Sequence, residues 1–254
     1  MINFTSDQYM LWITSFIWPL TRILGLIAVA PVFGNASIPV MIKISFGVVL
    51  ALIVAPTLHN LPHVDPVSLA GMMIEIQQFI IGVAMGFTIQ IVFITVDMAG
   101  NLIGMSMGLG FASFYDPQTK ATTPAISQFL TLLATILFLS LNMHLVLLSA
   151  LVDSFTTLPI GAQLQPGIWE NIVYAGSVIF SSGVQLALPI IAALLVTNIA
   201  LGILTRAAPQ LNLFGIGFPI TMGVGFVMIF ITIPYLTAPL QKLFEAGIHN
   251  SALQ

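Results

Sequence analysis

The chain has 254 residues, of which 58% are hydrophobic and only thirteen, five basic and eight acidic, carry a charge. A water-soluble domain has charge on about a quarter of its residues, so this surface faces lipid or a large apolar partner. Cysteine is absent, which excludes disulfide frameworks and thiolate metal sites, and no basic patch suggests nucleic-acid binding.

Long apolar runs determine the fold class. No Asp, Glu, Lys or Arg occurs at residues 121–152, 171–205 or 207–241. Each run exceeds the roughly 20 residues that an α-helix needs to cross a bilayer core. The sequence therefore predicts an all-α integral membrane protein, built of helical hairpins with long, kinked apolar helices.

The first two apolar segments, residues 10–33 and 40–55, are separated by a short turn that contains glycine, asparagine and proline. This spacing predicts a helical hairpin. Arg22 lies near the middle of the first segment, where an arginine facing lipid costs about 2.5–3.5 kcal/mol. We expect it to form an ion pair with Glu75 or Asp97, or to reach a water-filled lumen.

The third and fourth predicted segments are residues 71–96 and 98–110, with Asp97 between them. The fourth segment carries Gly100, Gly104 and Gly108, spaced every four residues. On a helix these glycines share one face, where another backbone approaches closely. A polar loop follows, through residue 124.

Three further segments complete the chain, at residues 126–152, 172–204 and 213–240. The run 172–204 would be about 50 Å long as a helix, against a hydrocarbon core of about 30 Å, so it must tilt, kink or leave the membrane. Pro189 supplies a kink. Arg206 favours a helix C-terminus, so the last two segments predict a second hairpin with Arg206 near its tip.

No catalytic apparatus is visible in the sequence. His59 and His63 are four residues apart, but the neighbouring prolines argue against a helix, and no carboxylate cluster accompanies them. A nucleophile elbow and a phosphate-binding loop are also missing. We therefore expect a noncatalytic protein with no metal and no cofactor.

Two stretches carry a resemblance to a known family. Residues 205–214 follow the pattern T-R-x-x-P-Q-x-N-x-F, and residues 108–117 read G-L-G-F-A-S-F-Y-D-P. With the length and the number of apolar runs, they make the whole chain resemble the FliR family of the flagellar protein export gate. The injectisome SctT group is a sibling of that family with the same architecture.

The resemblance implies a noncatalytic subunit of the flagellar type III secretion export gate. Such a subunit lies in the bacterial inner membrane at the centre of the basal body. It forms a hetero-oligomer with FliP-like, FliQ-like and FlhB-like subunits around a conduit for unfolded secreted flagellar proteins. It also implies a FliP-like portion at residues 1–168 and a FliQ-like helical hairpin at residues 169–254.

The resemblance further implies a plug that closes the conduit. The matching residues form the plug segment, Phe111, Phe114, Tyr115, Asp116 and Pro117. Bulky aromatic side chains close a channel by excluding water, as in other hydrophobic constrictions. Without the resemblance, the same aromatic residues would be interpreted as anchors of an ordinary loop.

Three alternatives remain open from the sequence. The first is an injectisome export gate subunit. The second is a small-solute secondary transporter that uses Asp97, Arg22 and the helix break at Pro189 as a midplane site, although the sequence contains no inverted repeat. The third is a scaffold with no part in the conduit.

Overall fold

The fold is known from a computed structural model. It describes residues 6–58, 61–62, 64–109, 125–162, 168–208 and 213–251. These ranges contain helices and connecting turns and no strand. The helices are α1 (Ser6–Val29), α2 (Val40–Val54), α3 (Leu69–Ser106), α4 (Ala125–Ser140), α5 (Met143–Thr157), α6 (Ile168–Ala207) and α7 (Phe218–Ser251).

Most of these helices have the length and composition of membrane spans. Within the described ranges, α1, α3, α6 and α7 each contain a stretch long and apolar enough to cross a bilayer, and α2 does so together with the short 3-10 turn Ala55–Thr57 that follows it. The pair α4 and α5 passes the same test together and adds a sixth span when it is counted as one. The predicted class, an all-α integral membrane protein, is confirmed.

Two predicted segment boundaries were wrong. Residues 71–96 and 98–110 belong largely to one continuous helix, α3, and Asp97 lies inside it. Residues 126–152 are instead divided between α4 and α5 by a break at Leu141–Asn142. Asn142 has a left-handed conformation with φ 56°, which asparagine tolerates better than most residues, and this conformation ends the run.

The chain divides into two compact units. Unit 1 comprises Met1–Ile91, Asn142–Val173 and Phe244–Gln254, and unit 2 comprises Val92–Leu141 and Tyr174–Leu243. In unit 1, α1 and α2 form the predicted hairpin. Phe33 and Phe46 stack with their ring centroids 5.7 Å apart, and the Lys43 ammonium donates a hydrogen bond of 2.8 Å to the Gly34 carbonyl.

Glycines let α1 and α3 approach closely inside unit 1. A Cβ at Gly25 would lie 2.6 Å from the Phe79 carbonyl oxygen, and one at Gly86 would lie 2.9 Å from the Leu26 carbonyl oxygen. A Cβ at Gly82 would overlap the Arg22 carbonyl oxygen. Gly82 and Gly86 are four residues apart, so they form a small-xxx-small packing motif that replaces side-chain contacts with backbone contacts.

In unit 2, helices α3, α4, α6 and α7 surround a cavity. Within the described part of the chain, its lining is aliphatic and comes from all four helices. Nearby, the rings of Phe93 on α3 and Phe138 on α4 meet edge to face, with centroids 5.7 Å apart. The lining residues are Val96, Ala99, Ile103, Leu130, Leu133, Leu137, Leu186, Ile190, Ile229, Leu236 and Leu240.

Gly82→Ala tests the close packing of α1 on α3. The added methyl group collides with backbone atoms, which have no alternative rotamer, so we expect a destabilisation of about 1–3 kcal/mol. The measurement is the thermal unfolding of the purified protein in one detergent. Gly202→Ala is the matched control, because a Cβ at Gly202 meets nothing within 4 Å. Equal unfolding temperatures for the two variants would contradict the packing.

Candidate functional site

The five plug residues, Phe111, Phe114, Tyr115, Asp116 and Pro117, lie outside the described residues. The structure describes the chain on both sides of them, up to residue 109 and again from Ala125. Both flanks belong to unit 2. The described parts of the candidate site are these two flanks and the polar residues inside the apolar helices.

The upstream flank turns sharply at Gly108. Helix α3 ends at Ser106, and Gly108 has a left-handed conformation with φ 87°. Gly108 therefore lies beyond the helix, and the prediction that it extends a helical glycine face was wrong for this residue. A left-handed residue just after a helix is a common helix terminator, and glycine adopts it without steric cost.

Helix α7 contacts this flank directly. The Thr221 hydroxyl lies 3.3 Å from the Met107 carbonyl oxygen and can donate a hydrogen bond to it. A Cβ at Gly108 would lie 3.2 Å from the Phe218 ring, and a Cβ at Gly225 would lie 2.6 Å from two carbon atoms of the Met107 side chain. The Met107 side chain is fully buried.

The downstream flank is fixed to α3 through Ser127. The Ser127 hydroxyl donates a hydrogen bond to the Asp97 carboxylate, and Asn101 donates a second one of 3.1 Å to its other oxygen. A Cβ at Gly100 would overlap the Cα of Ser127, so the two backbones are in close contact. Asp97 thus receives neutral donors on both carboxylate oxygens and links α3 to the start of α4.

Gly104 lies between these two contacts. It is buried on α3, four residues after Gly100. Its role in packing stays a prediction.

Arg22 is completely buried in unit 1, and the predicted ion pair with Glu75 or Asp97 was wrong. Its guanidinium donates hydrogen bonds of 2.8–3.0 Å to the Gln78 side chain and to the carbonyl and hydroxyl of Ser154. A further hydrogen bond of 2.9 Å goes to the Leu158 carbonyl.

These acceptors explain why Arg22 is stable without a carboxylate. The Ser154 and Leu158 carbonyls lie at the C-terminal end of α5, which carries partial negative charge. The Ser154 carbonyl also accepts the backbone N–H of Leu158 at 2.9 Å, whereas the Leu158 carbonyl lies just beyond the last helical residue. The Phe155 ring centroid is 4.3 Å from the guanidinium carbon, which adds a cation–π contact. Arg22 therefore caps α5 and joins it to α1 and α3.

Sequence reasoning missed the partners of Arg22. The polar residue Gln78 was visible near the start of an apolar segment, but helix ends supply the other acceptors, and no sequence pattern identifies them. The tertiary fold determines which backbone carbonyl groups come within reach of a buried arginine. The glycines that bring α1 close to α3 were also missed, although the spacing of Gly82 and Gly86 was present in the sequence.

Of the remaining residues singled out from the sequence, Arg206 is described by the structure and the two histidines are not. Arg206 lies exposed in the last turn of α6, where a cation interacts favourably with the helix dipole. His59 and His63 lie outside the described residues. Within the described ranges, no group of three or more His, Cys, Asp or Glu residues could hold a metal ion.

The sequence is similar to that of known bacterial export proteins. The sequence profile described as Bacterial export proteins, family 1, matches residues 13–247. Flagellar biosynthetic protein FliR of Escherichia coli (strain K12) is 41% identical over 246 residues, which cover 96% of this chain and 94% of that protein.

The chain belongs to the FliR family. The protein of the same name from Pectobacterium carotovorum subsp. carotovorum is 43% identical, again over 96% of this chain and 94% of its own length. The one from Bacillus subtilis (strain 168) is 28% identical over 93% of this chain and 92% of its own length. Arg22 and both flanks of the plug segment lie within residues 13–247, the part of the chain that the family profile matches.

Arg22→Met tests the buried cap. The change removes the guanidinium that donates to the Gln78 amide oxygen and to the Leu158 carbonyl, and each buried acceptor that loses its donor costs about 1–3 kcal/mol. We expect a fall in thermal unfolding temperature that corresponds to a loss of about 2–4 kcal/mol. Arg22→Lys should recover part of it, because an ammonium has fewer donors and no fork. Arg206→Met, at an exposed position, is the control and should change little. A stable Arg22→Met protein would contradict the cap.

Proposed function

We propose that this member of the FliR family is a noncatalytic subunit of the flagellar type III secretion export gate. The observation that carries the proposal is the match to proteins named flagellar biosynthetic protein FliR over 96% of the chain. The described fold agrees with such a role, because apolar helices dominate it and its polar side chains form helix-to-helix contacts.

The proposed location is the bacterial inner membrane, at the centre of the flagellar basal body. The proposed partners are FliP-like, FliQ-like and FlhB-like subunits in one hetero-oligomer. Many large apolar side chains on α2, α6 and α7 are exposed, including Met41, Phe230 and Tyr235. Exposed apolar surface on this scale indicates contact with lipid or with other subunits.

The length of α6 favours protein over lipid along part of this surface. Its 40 residues extend about 60 Å, twice the thickness of a hydrocarbon core. The helix must therefore tilt strongly, or one of its ends must leave the lipid. Neighbouring subunits can cover an apolar helix of any length, which supports a hetero-oligomer.

We also propose that the chain has two parts, each of which resembles a different partner subunit. Residues 1–168 would correspond to a FliP-like portion and residues 169–254 to a FliQ-like helical hairpin. Helix α6 begins at Ile168, and α6 and α7 are joined near Arg206, as a hairpin requires. The boundary thus lies within one residue of the start of a helix.

The plug segment is proposed to close the conduit for unfolded flagellar proteins when no substrate passes. Phe111, Phe114 and Tyr115 supply three aromatic side chains, and Asp116 supplies the one charge. A closed ring of aromatic side chains excludes water and so blocks ions. The anchored flanks at Met107 and Ser127 support this role, because they hold both ends of the segment on α3 and its neighbours.

The other candidates receive less support. A small-solute transporter needs convergent polar groups, yet the described lining of the cavity in unit 2 is aliphatic. Arg22 and Asp97 each have their own neutral partners instead of forming one midplane site. An injectisome role is not favoured, because the similar proteins named above are flagellar.

Deletion of residues 111–120 tests the plug. We expect the export complex to assemble and the membrane to become permeable to small ions, because the aromatic constriction is lost. The measurements are isolation of the complex and ion conductance in cells that express the variant. An assembled complex without added conductance would refute the plug assignment.

Purification in mild detergent tests the assembly. We expect chains similar to FliP and FliQ to co-purify with this protein in fixed ratios, because its exposed apolar helices need cover. Mass spectrometry of the purified particle identifies the chains. Recovery of a stable monomer that transports a small metabolite in liposomes would instead support the transporter.

A further inference from the structure

Helix α3 has a partly uncovered face in unit 2. From residue 92 to residue 105, one side of the helix is buried and the other side is exposed or half-buried. The exposed and half-buried positions recur at intervals of three and four residues, as expected for one face of a helix. This face, here called the α3 outer face, consists of Ile94, Asp97, Met98, Asn101, Leu102 and Met105.

Asp97 carries the one charge on the α3 outer face. Its carboxylate accepts a hydrogen bond from the Ser127 hydroxyl on one oxygen and from the Asn101 amide on the other. Both donors are neutral, so they orient the carboxylate but do not balance its negative charge. An ionised carboxylate has about four acceptor sites, which leaves room for a further donor.

The described residues of unit 2 do not supply a counter-charge. Their basic residues are Arg206, in the last turn of α6, and Lys242, in the second half of α7. Among the described residues, the hydrogen-bond partners of the Asp97 carboxylate are the two neutral groups named above. The helical stretches 125–140, 174–205 and 218–241 contain no lysine, arginine or histidine.

The composition of the α3 outer face favours a protein partner over lipid or water. Four of its six residues are apolar, and Met105 is 66% exposed, so a water-filled lumen would leave apolar surface wet. A carboxylate that faces lipid is unfavourable, and charges inside membranes pair with one another. A helix from a neighbouring subunit meets both requirements when it covers the apolar residues and carries one basic side chain opposite Asp97.

We propose that the α3 outer face binds a helix of a neighbouring subunit, and that a lysine or arginine of this helix pairs with Asp97. The face extends about 16 Å along α3, or three helical turns, which suits one helix. Ser127 and Asn101 are positioning residues, because they hold the carboxylate in place. The proposal rests on the hetero-oligomer proposed above.

Charge variants at position 97 test the interface. Each variant is expressed with the other gate subunits, and the yield of intact complex is measured after purification in mild detergent. Asp97→Lys brings two like charges together, so we expect most of the complex to be lost. Asp97→Asn removes the charge and keeps the shape, and we expect at least about a tenfold loss of yield. Asp97→Glu keeps the charge and should recover much of the yield.

Three controls separate the interface from other effects. Asp153→Lys makes the same change at an exposed position of α5 and should leave the yield unchanged. The isolated Asp97→Asn chain should unfold close to the temperature of the unchanged chain, because an amide oxygen still accepts the Ser127 hydroxyl. Lys120 lies outside the described residues and is the nearest basic residue in sequence to Ser127, and Lys120→Gln should leave the complex intact.

A charge swap identifies the partner residue. In the Asp97→Lys background, each lysine or arginine within the apolar helices of the co-purifying subunits is changed to aspartate, one at a time. We expect one of these changes to restore the complex, and to lower its yield when Asp97 is unchanged. If none of them restores the complex, the ion pair is overturned.

The results separate the interface from the assembly itself. If the unchanged chain purifies without other subunits, the proposed hetero-oligomer fails. If the unchanged chain co-purifies with them and Asp97→Lys does so equally well, the interface is overturned and the assembly stands. A large loss of thermal stability in the isolated Asp97→Asn chain, or a loss of complex in Lys120→Gln equal to that in Asp97→Asn, would place the role of Asp97 within this chain and likewise overturn the interface.

Discussion

The buried guanidinium of Arg22 holds unit 1 together. It donates hydrogen bonds to a side-chain amide on α3, to a hydroxyl and a carbonyl on α5, and to the carbonyl just after α5. A buried charge without hydrogen bonds would cost many kilocalories per mole, so these contacts fix three helices relative to one another. The glycines at 25, 82 and 86 allow this arrangement, because the absence of a side chain lets the backbones of α1 and α3 lie in contact.

Unit 2 also contains a charged side chain with neutral hydrogen-bond partners, in this case an acidic one. The Asp97 carboxylate lies inside an apolar helix and accepts hydrogen bonds from Ser127 and Asn101. In an apolar environment, polar side chains that are satisfied within the protein act as specific connections between helices. Ser127 and Thr221 make such connections on either side of the plug segment. The chain on either side of the plug segment is therefore held by a few polar contacts between otherwise apolar helices.

The fold class could be predicted from the sequence, because charge scarcity and long apolar runs are properties of composition. The hairpin of α1 and α2 was equally visible, since a short turn separates two such runs. Individual helix boundaries were harder to predict. The glycine-rich stretch from residue 98 continues α3 because the backbone at Gly100 packs against Ser127, and this tertiary contact outweighs the weak helix propensity of glycine.

The site was predictable only in part. The plug segment was identified by resemblance, and its residues lie outside the described ranges. Arg22 was recognised as unusual, but the ion pair assigned to it was wrong because charged residues are visible in a sequence and converging carbonyl groups are not. The contact of Met107 with Gly225 joins residues more than a hundred positions apart, and one sequence contains no signal for such a pair.

The uncharged nature of the acceptors around Arg22 has a consequence for solution conditions. Amide, hydroxyl and backbone carbonyl groups do not titrate between mildly acidic and mildly alkaline pH, so acid cannot protonate away a counter-charge there. Dissolved salt screens the attraction between exposed charges, with a screening length of about 10 Å at about 0.1 M. It has little effect on hydrogen bonds buried inside a protein. The junction of α1, α3 and α5 should therefore persist through changes in acidity and ionic strength that would loosen a surface charge network.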